Sequence, residues 1–221
     1  MRTTLLLDLD GTLADSIDVA RDVYRRFLTE RHRQPSDAEF DALNGPPLGV
    51  VVERLRATHD LRETAAMLLA RYETLFDEAY RDVAPMPGAR ALLTAARRAG
   101  MACAVVTSNT AARANDWLSR RGLLASMDAV VAGPVGRGKP WPDPYLEVLR
   151  VLGRRSDEAI AIEDSTQGAS AATGAAIFTL GLNRRGDDMA WPAGVCEIRE
   201  LEEAIAWLTA SNSTFAASTA G

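Results

Sequence analysis

Lysine is nearly missing from this chain. Of its 25 basic residues only Lys139 is a lysine; everywhere else the cation is arginine. A position that keeps a compact ammonium against such a bias is a candidate for a task a planar guanidinium cannot do, the alternative being one surface lysine surviving by chance. Histidine is scarce as well: His32 and His59 are the only two. There are two cysteines, Cys103 and Cys196. Cys103 lies in an apolar strand-like run and reads as a buried free thiol, so the cytoplasm is the expected location. No uninterrupted apolar run is long enough to span a bilayer. The leucines near the N-terminus are too few for a signal peptide, and acids follow them at once. The net charge of −5 argues against nucleic acid or an anionic membrane surface as the main partner. A phosphate remains possible where positive groups are local. With 221 residues, 47% of them hydrophobic and 25% charged, the chain has the composition of a soluble globular protein of one or two domains.

What is present is a regular alternation. Thr3 to Asp8, a continuous apolar run ending in an acid, reads as a fully buried strand. From Ser16 to about residue 82 the periodicity is helical throughout, with no strand signal. The expected helices are Ser16–Arg33, Ser36–Leu43, Leu48–Thr58, and one from Asp60 or Leu61 to Arg81, with Asn44-Gly45-Pro46-Pro47 as a turn. After Val83-Ala84-Pro85-Met86-Pro87-Gly88 come repeated helix–strand units. Strands are expected at Ala102–Thr107, Ala129–Ala132, Ala159–Glu163 and Ala176–Leu180, with a short last one at Val195–Ile198 and a closing helix over Arg199–Thr209. The tail from Ser211 reads as disordered. This order specifies an α/β fold: a Rossmann-like, doubly wound parallel sheet core over residues 1–15 and 83–210, with a four-helix cap domain over 16–82.

Four strand ends then carry polar residues: Asp8 and Asp10 on the first, Thr107-Ser108-Asn109 on the second, Gly138-Lys139-Pro140 after the third, and Glu163-Asp164-Ser165 on the fourth. In an open parallel sheet these ends share one edge. Asp8 and Asp10 are two apart, so both reach one site only if the chain curls after the strand, which Gly11 permits. Taken alone, Asp-x-Asp-Gly also occurs in calcium loops, glycosyltransferase metal sites and plain turns. The conjunction of two acidic strand ends, a hydroxyl-bearing one and the lone lysine points to a site.

These motifs, in order Asp8-Leu-Asp-Gly-Thr, Thr107-Ser-Asn, Lys139-Pro and Glu163-Asp-Ser, resemble those of the haloacid dehalogenase (HAD) superfamily. The closest branch in pattern is that of the phosphoglycolate phosphatases and β-phosphoglucomutases. The resemblance runs from about residue 3 to 209. It implies a Mg²⁺-dependent phosphatase acting on a small phosphorylated metabolite through an aspartyl-phosphate. Asp8 would be the nucleophile and Asp10 the general acid and base. Thr107, Ser108, Asn109 and Lys139 would bind the phosphoryl group. Asp8, Asp164 and the backbone carbonyl of Asp10 would hold Mg²⁺, with Glu163 in contact with the ion or just behind it. With both histidines in the helical insert, none is available near the strand ends to replace Asp10.

Other readings attach to single residues. Glu163-Asp164 could be an acid pair at a helix start, and Thr107 to Asn109 an N-cap. Asp143 is expected to cap the helix at Pro142. Asp15 and Ser16 lie at a hinge or cap the first insert helix. Arg21, Arg54 and Arg113 are candidate anion contacts or solvated helix arginines. A sugar phosphomutase is the alternative activity, weakened because Ala20 stands where those mutases carry a histidine. A monomer or a homodimer fits the sequence equally.

Overall fold

The computed structural model describes residues 2–43 and 45–209. β1 (Thr4–Leu7) is buried along its whole length. Leu5 and Leu7 join one apolar cluster and Leu6 another, on the opposite face of the sheet. Two-sided burial is what a continuous apolar run specifies, in contrast to an alternating one. β1 pairs in parallel with β2 (Ala102–Thr107) on one flank and β4 (Ala159–Glu163) on the other, with Leu7 level with Val105 and Ile162. β3 (Ala129–Ala132) lies beyond β2, and β5 (Phe178–Leu182) and β6 (Cys196–Ile198) lie beyond β4. The strand order is β3-β2-β1-β4-β5-β6. It reverses direction at β1, so the crevice at the C-terminal ends of β1, β2 and β4 is the switch point where open α/β sheets take ligands.

Helices cover both faces. Residues of α5 (Ala89–Arg98), α6 (Ala111–Arg120) and α9 (Leu201–Thr209) join the cluster that holds Leu5 and Leu7. Residues of α7 (Asp143–Leu152) and α8 (Thr166–Gly174) join the cluster that holds Leu6. Between β1 and β2 the chain forms α1 (Ile17–Thr29), α2 (Asp37–Leu43), α3 (Leu48–Thr58) and α4 (Ala65–Tyr80). The buried stripe of α1, Val23, Tyr24, Phe27 and Leu28, packs on α4, with the Phe27 and Tyr72 rings meeting edge-on at 4.9 Å. No helix among the described residues is long and apolar enough to cross a membrane.

Several boundaries differ from expectation. α1 stops at Thr29, four residues before Arg33, and the following turn puts His32 at φ +55°. α4 starts at Ala65 because Thr64 accepts a hydrogen bond from the Met67 amide, while Asp60 has φ +49° and is part of a turn. β5 runs Phe178–Leu182, two residues later than expected, because Ala176 has φ +57°, which no strand tolerates. α9 begins at Leu201, two residues after Arg199. Asp143 does not cap α7; its carboxylate pairs with Arg137. Ser16, not Asp15, holds the N-cap position of α1, and neither side chain caps the helix. The tail from Ser211 lies outside the described residues.

Leu6 is fully buried, on a strand flanked by β2 and β4 and in the apolar cluster formed with α7 and α8. Leu6→Ala is expected to cost about 2–5 kcal/mol of unfolding free energy in urea denaturation. A loss below about 0.5 kcal/mol, the size typical of surface positions, would contradict this placement of β1.

Candidate active site

The site begins where β1 stops. The Asp8 amide still donates to the Ile162 carbonyl at 3.1 Å, and one residue later the chain curls, with the Ala14 amide donating to the Leu9 carbonyl at 2.8 Å. Gly11 closes the curl at φ +83°, and a Cβ there would also overlap the Asp164 carboxylate. The turn overrides the strand alternation: Asp8 and Asp10 line one cavity together with Thr107, Ser108, Asn109, Lys139 and Asp164. Of the residues expected at the site, Glu163 alone lies off this surface, fully buried behind the lysine.

Lys139 is the centre of charge. Its ammonium lies 2.5 Å from Asp8 Oδ1 and 2.5 Å from Glu163 Oε1, and donates to the Val106 carbonyl at 3.0 Å. Its side chain is 6% exposed. Burial lowers its affinity for a proton, but the two carboxylates outweigh that and hold it above the usual lysine range. Burial likewise pushes Asp8 up, to about 7, against the pull of Lys139. Asp164 is raised well above the carboxylate range by burial and by the charges of Asp8 and Glu163.

Asp10 is held differently. Oδ1 accepts from the Ser16 hydroxyl at 2.9 Å and the Tyr80 hydroxyl at 2.7 Å, and Oδ2 accepts from the Asn109 amide nitrogen at 3.0 Å. Ser16 precedes α1 and Tyr80 ends α4, so both ends of the helical insert meet at this carboxylate. The Asn109 backbone N–H donates to Thr107 Oγ1 at 3.0 Å, and Thr110, not the Thr107–Asn109 run, caps α6.

Tyr80 and Tyr145 were not legible as site residues. Tyr145, fully buried on α7, donates to Glu163 Oε1 at 2.5 Å. Each tyrosine reads in sequence as one more apolar position on a helix face; the only available signal was that a buried tyrosine needs a hydrogen-bond partner. The arginine candidates separate. Arg113 donates to Asn109 Oδ1 at 2.8 Å and pairs with Asp77 at 2.6 Å, so it braces the Asn109 loop. Arg21 pairs with Asp37 and Asp41, and Arg54 is exposed and lines no part of the cavity. Asp15 pairs with Arg184, and His59 bonds Glu39 within the insert.

Oxygens of Asp8, Glu163 and Asp164 lie within 4.8 Å of one another. One of them, Glu163 Oε2, is buried with no hydrogen-bond partner. An all-carboxylate set, with buried like charges and an orphaned oxygen, suits a hard divalent cation such as Mg²⁺. The Asp10 side chain is outside this cluster.

The model of the haloacid dehalogenase-like hydrolases matches residues 5–182. The chain belongs to that family. Among the curated haloacid dehalogenase-like relatives, hexitol phosphatase A from Escherichia coli is 29% identical over 82% of this chain and 83% of its own. Validoxylamine A 7'-phosphate phosphatase from Streptomyces hygroscopicus subsp. limoneus is 31% identical over 92% of this chain and 96% of its own. Among solved structures of the same fold, CbbY from Rhodobacter sphaeroides in complex with phosphate superposes with a TM-score of 0.79 at 24% identity, covering 92% of this chain and 96% of that one. The haloacid dehalogenase-like fold is thereby shared along nearly the whole described chain.

Replacing Lys139 by Met leaves two buried carboxylates facing each other without a cation. The expected cost is about 3 kcal/mol of stability in metal-free urea denaturation, with part of it restored by Mg²⁺. An unchanged midpoint would contradict the central position of this ammonium.

Proposed function

We propose that this protein is a Mg²⁺-dependent phosphatase that hydrolyses a small phosphate monoester through an aspartyl-phosphate on Asp8. The observation that carries the reading is the pairing of two carboxylates in one cavity, held in opposite ways. Asp8 is bonded to a buried ammonium, and Asp10 is bonded only to hydroxyl and amide donors. Asp8 Oδ is the nucleophile: it attacks phosphorus, the ester P–O bond breaks, and the phosphoryl group is carried on the carboxylate. Asp10 gives a proton to the leaving oxygen and then removes one from the water that attacks the aspartyl-phosphate. To reach either oxygen it must exchange one of its present donors for the substrate. Thr107, Ser108 and Asn109 bind the phosphoryl oxygens, and Lys139 compensates the charge shared by Asp8 and the phosphoryl group. Asp8, Asp164 and the Asp10 carbonyl, backed by Glu163, would hold Mg²⁺, which when bound supplies positive charge to the transferring phosphoryl oxygens.

Residues 16–82 serve as a cap over a core formed by 1–15 and 83–210, and close over the bound ester to exclude water. The names of the two curated relatives, both phosphatases of phosphorylated metabolites, support this class of substrate. Ala20 in place of an acid/base side chain on α1 weighs against the sugar phosphomutase reading. Work in the cytoplasm, as a monomer or homodimer, fits the same proposal.

The test is phosphate release from a panel of phosphorylated metabolites with Mg²⁺. Release is expected from wild type, none from Asp8→Asn, and a rate about 10²–10⁴-fold lower from Asp10→Asn. Full activity of either variant, or isomer interconversion without phosphate release, would overturn the assignment.

A further inference from the structure

The wall of the cavity opposite the carboxylates belongs to the helical insert, and its chemistry bears on what the ester carries. It is built from Ile17, Ala20, Leu48, Val51 and Phe76. Among the described residues, the insert contributes no charged side chain to this wall, and Lys139 is the only cation around the cavity. The nearby arginines line the adjoining cleft rather than this wall and are paired with acids, although Arg21 Nε is buried without a partner among the described residues. Arg21 pairs with Asp37 and Asp41 and lies over the Phe40 ring, and Arg184 and Arg185 pair with Asp15 and Asp18. Two tyrosines of the insert reach the cavity. The Tyr24 hydroxyl is used within the insert, on Glu39 and on Ser36. Tyr72 is 3% exposed and lines the cavity, and its hydroxyl has no hydrogen-bond partner among the described residues. The free space is about 110 Å³, and a wider cleft of about 820 Å³ that shares Ile17, Phe40, Asp164 and Ser165 opens beside it.

We propose that the substrate is the phosphate ester of an uncharged alcohol whose chain lies on this apolar wall, and that Tyr72 is a specificity-determining residue that hydrogen-bonds one hydroxyl of that alcohol. The inference rests on the phosphatase reading. The physical basis is desolvation. A second anionic group on the leaving side, a carboxylate or another phosphate, would be pressed against an apolar wall with no cation to meet it. An uncharged carbon chain buries favourably on the same surface. The Tyr72 hydroxyl, which has no protein partner at the cavity surface, gains one when a hydroxyl arrives.

Three probes of nearly equal size separate these effects: 2-hydroxyethyl phosphate, propyl phosphate and phosphoglycolate. All are assayed with Mg²⁺ beside acetyl phosphate, a reactive mixed anhydride used as reference phosphoryl donor. For wild type, kcat/KM for 2-hydroxyethyl phosphate is expected to exceed that for phosphoglycolate at least about tenfold. Leu48→Arg adds a cation at a partly buried helix start and should narrow that ratio by raising turnover of phosphoglycolate, with folding checked by the thermal transition. Tyr72→Phe should lower kcat/KM for 2-hydroxyethyl phosphate about fivefold and spare propyl phosphate. A wild-type ratio below tenfold, or an unchanged ratio in a folded Leu48→Arg variant, overturns the neutral-ester assignment. Equal losses on 2-hydroxyethyl and propyl phosphate overturn the role of Tyr72. If acetyl phosphate shows no Asp8-dependent hydrolysis, the phosphatase reading itself falls and this inference falls with it.

Discussion

The Lys139 ammonium stands between Asp8 and Glu163 with almost no access to solvent, and the end of the sheet is arranged around that contact. Three carboxylates gathered within 4.8 Å, with one ammonium beside them, carry a formal charge of −2, since three negative charges meet one positive. One divalent cation balances that charge. Without it, burial and mutual repulsion drive protons onto Asp8 and Asp164, which is why both are raised. The surroundings are fitted to the same crowding. Tyr145 donates to Glu163 from beneath, and Gly11 lets Asp164 approach the β1 loop. At position 139 a single compact ammonium meets two carboxylates and the Val106 carbonyl at once, a convergence on one atom that a planar guanidinium does not offer. This supplies a physical reason for one lysine in an arginine-rich chain.

The second organising contact is at Asp10. Its three donors come from the sequence just before α1, the end of α4 and the loop after β2. The carboxylate is thus bonded at both points where the helical insert joins the sheet. Any change in the tilt of the insert alters the surroundings of Asp10, while Asp8 stays fixed by β1 and Lys139. In the proposed chemistry the group that stays in place is the nucleophile, and the group that changes partners is the one that moves protons.

Much of this was legible in the sequence, for identifiable reasons. The apolar run Leu5–Leu7 has the continuous pattern of a strand covered on both faces, and the polar residues closing each later strand fall on one edge once the sheet is parallel. The lone lysine needed only a composition count. What was not legible depended on contacts between distant parts of the chain. Tyr80 meets Asp10 across 70 positions of sequence, and Tyr145 meets Glu163 from another layer. Neither leaves a local trace beyond an aromatic residue on a helix face. Boundary errors followed the same logic. Ala176 looks like a strand residue by type, but its positive φ follows from the close of α8. Asp143 looks like a cap, yet its carboxylate is engaged by Arg137.

The central claim is that Asp8 becomes covalently phosphorylated, and the most direct measurement is mass spectrometry of protein quenched in acid during turnover with Mg²⁺ and acetyl phosphate. The account requires a single added phosphoryl group on the peptide carrying Asp8, gained within the turnover time and absent from Asp8→Asn. A phosphoryl group found on another residue, or none on Asp8 in enzyme that is visibly turning over, would contradict it.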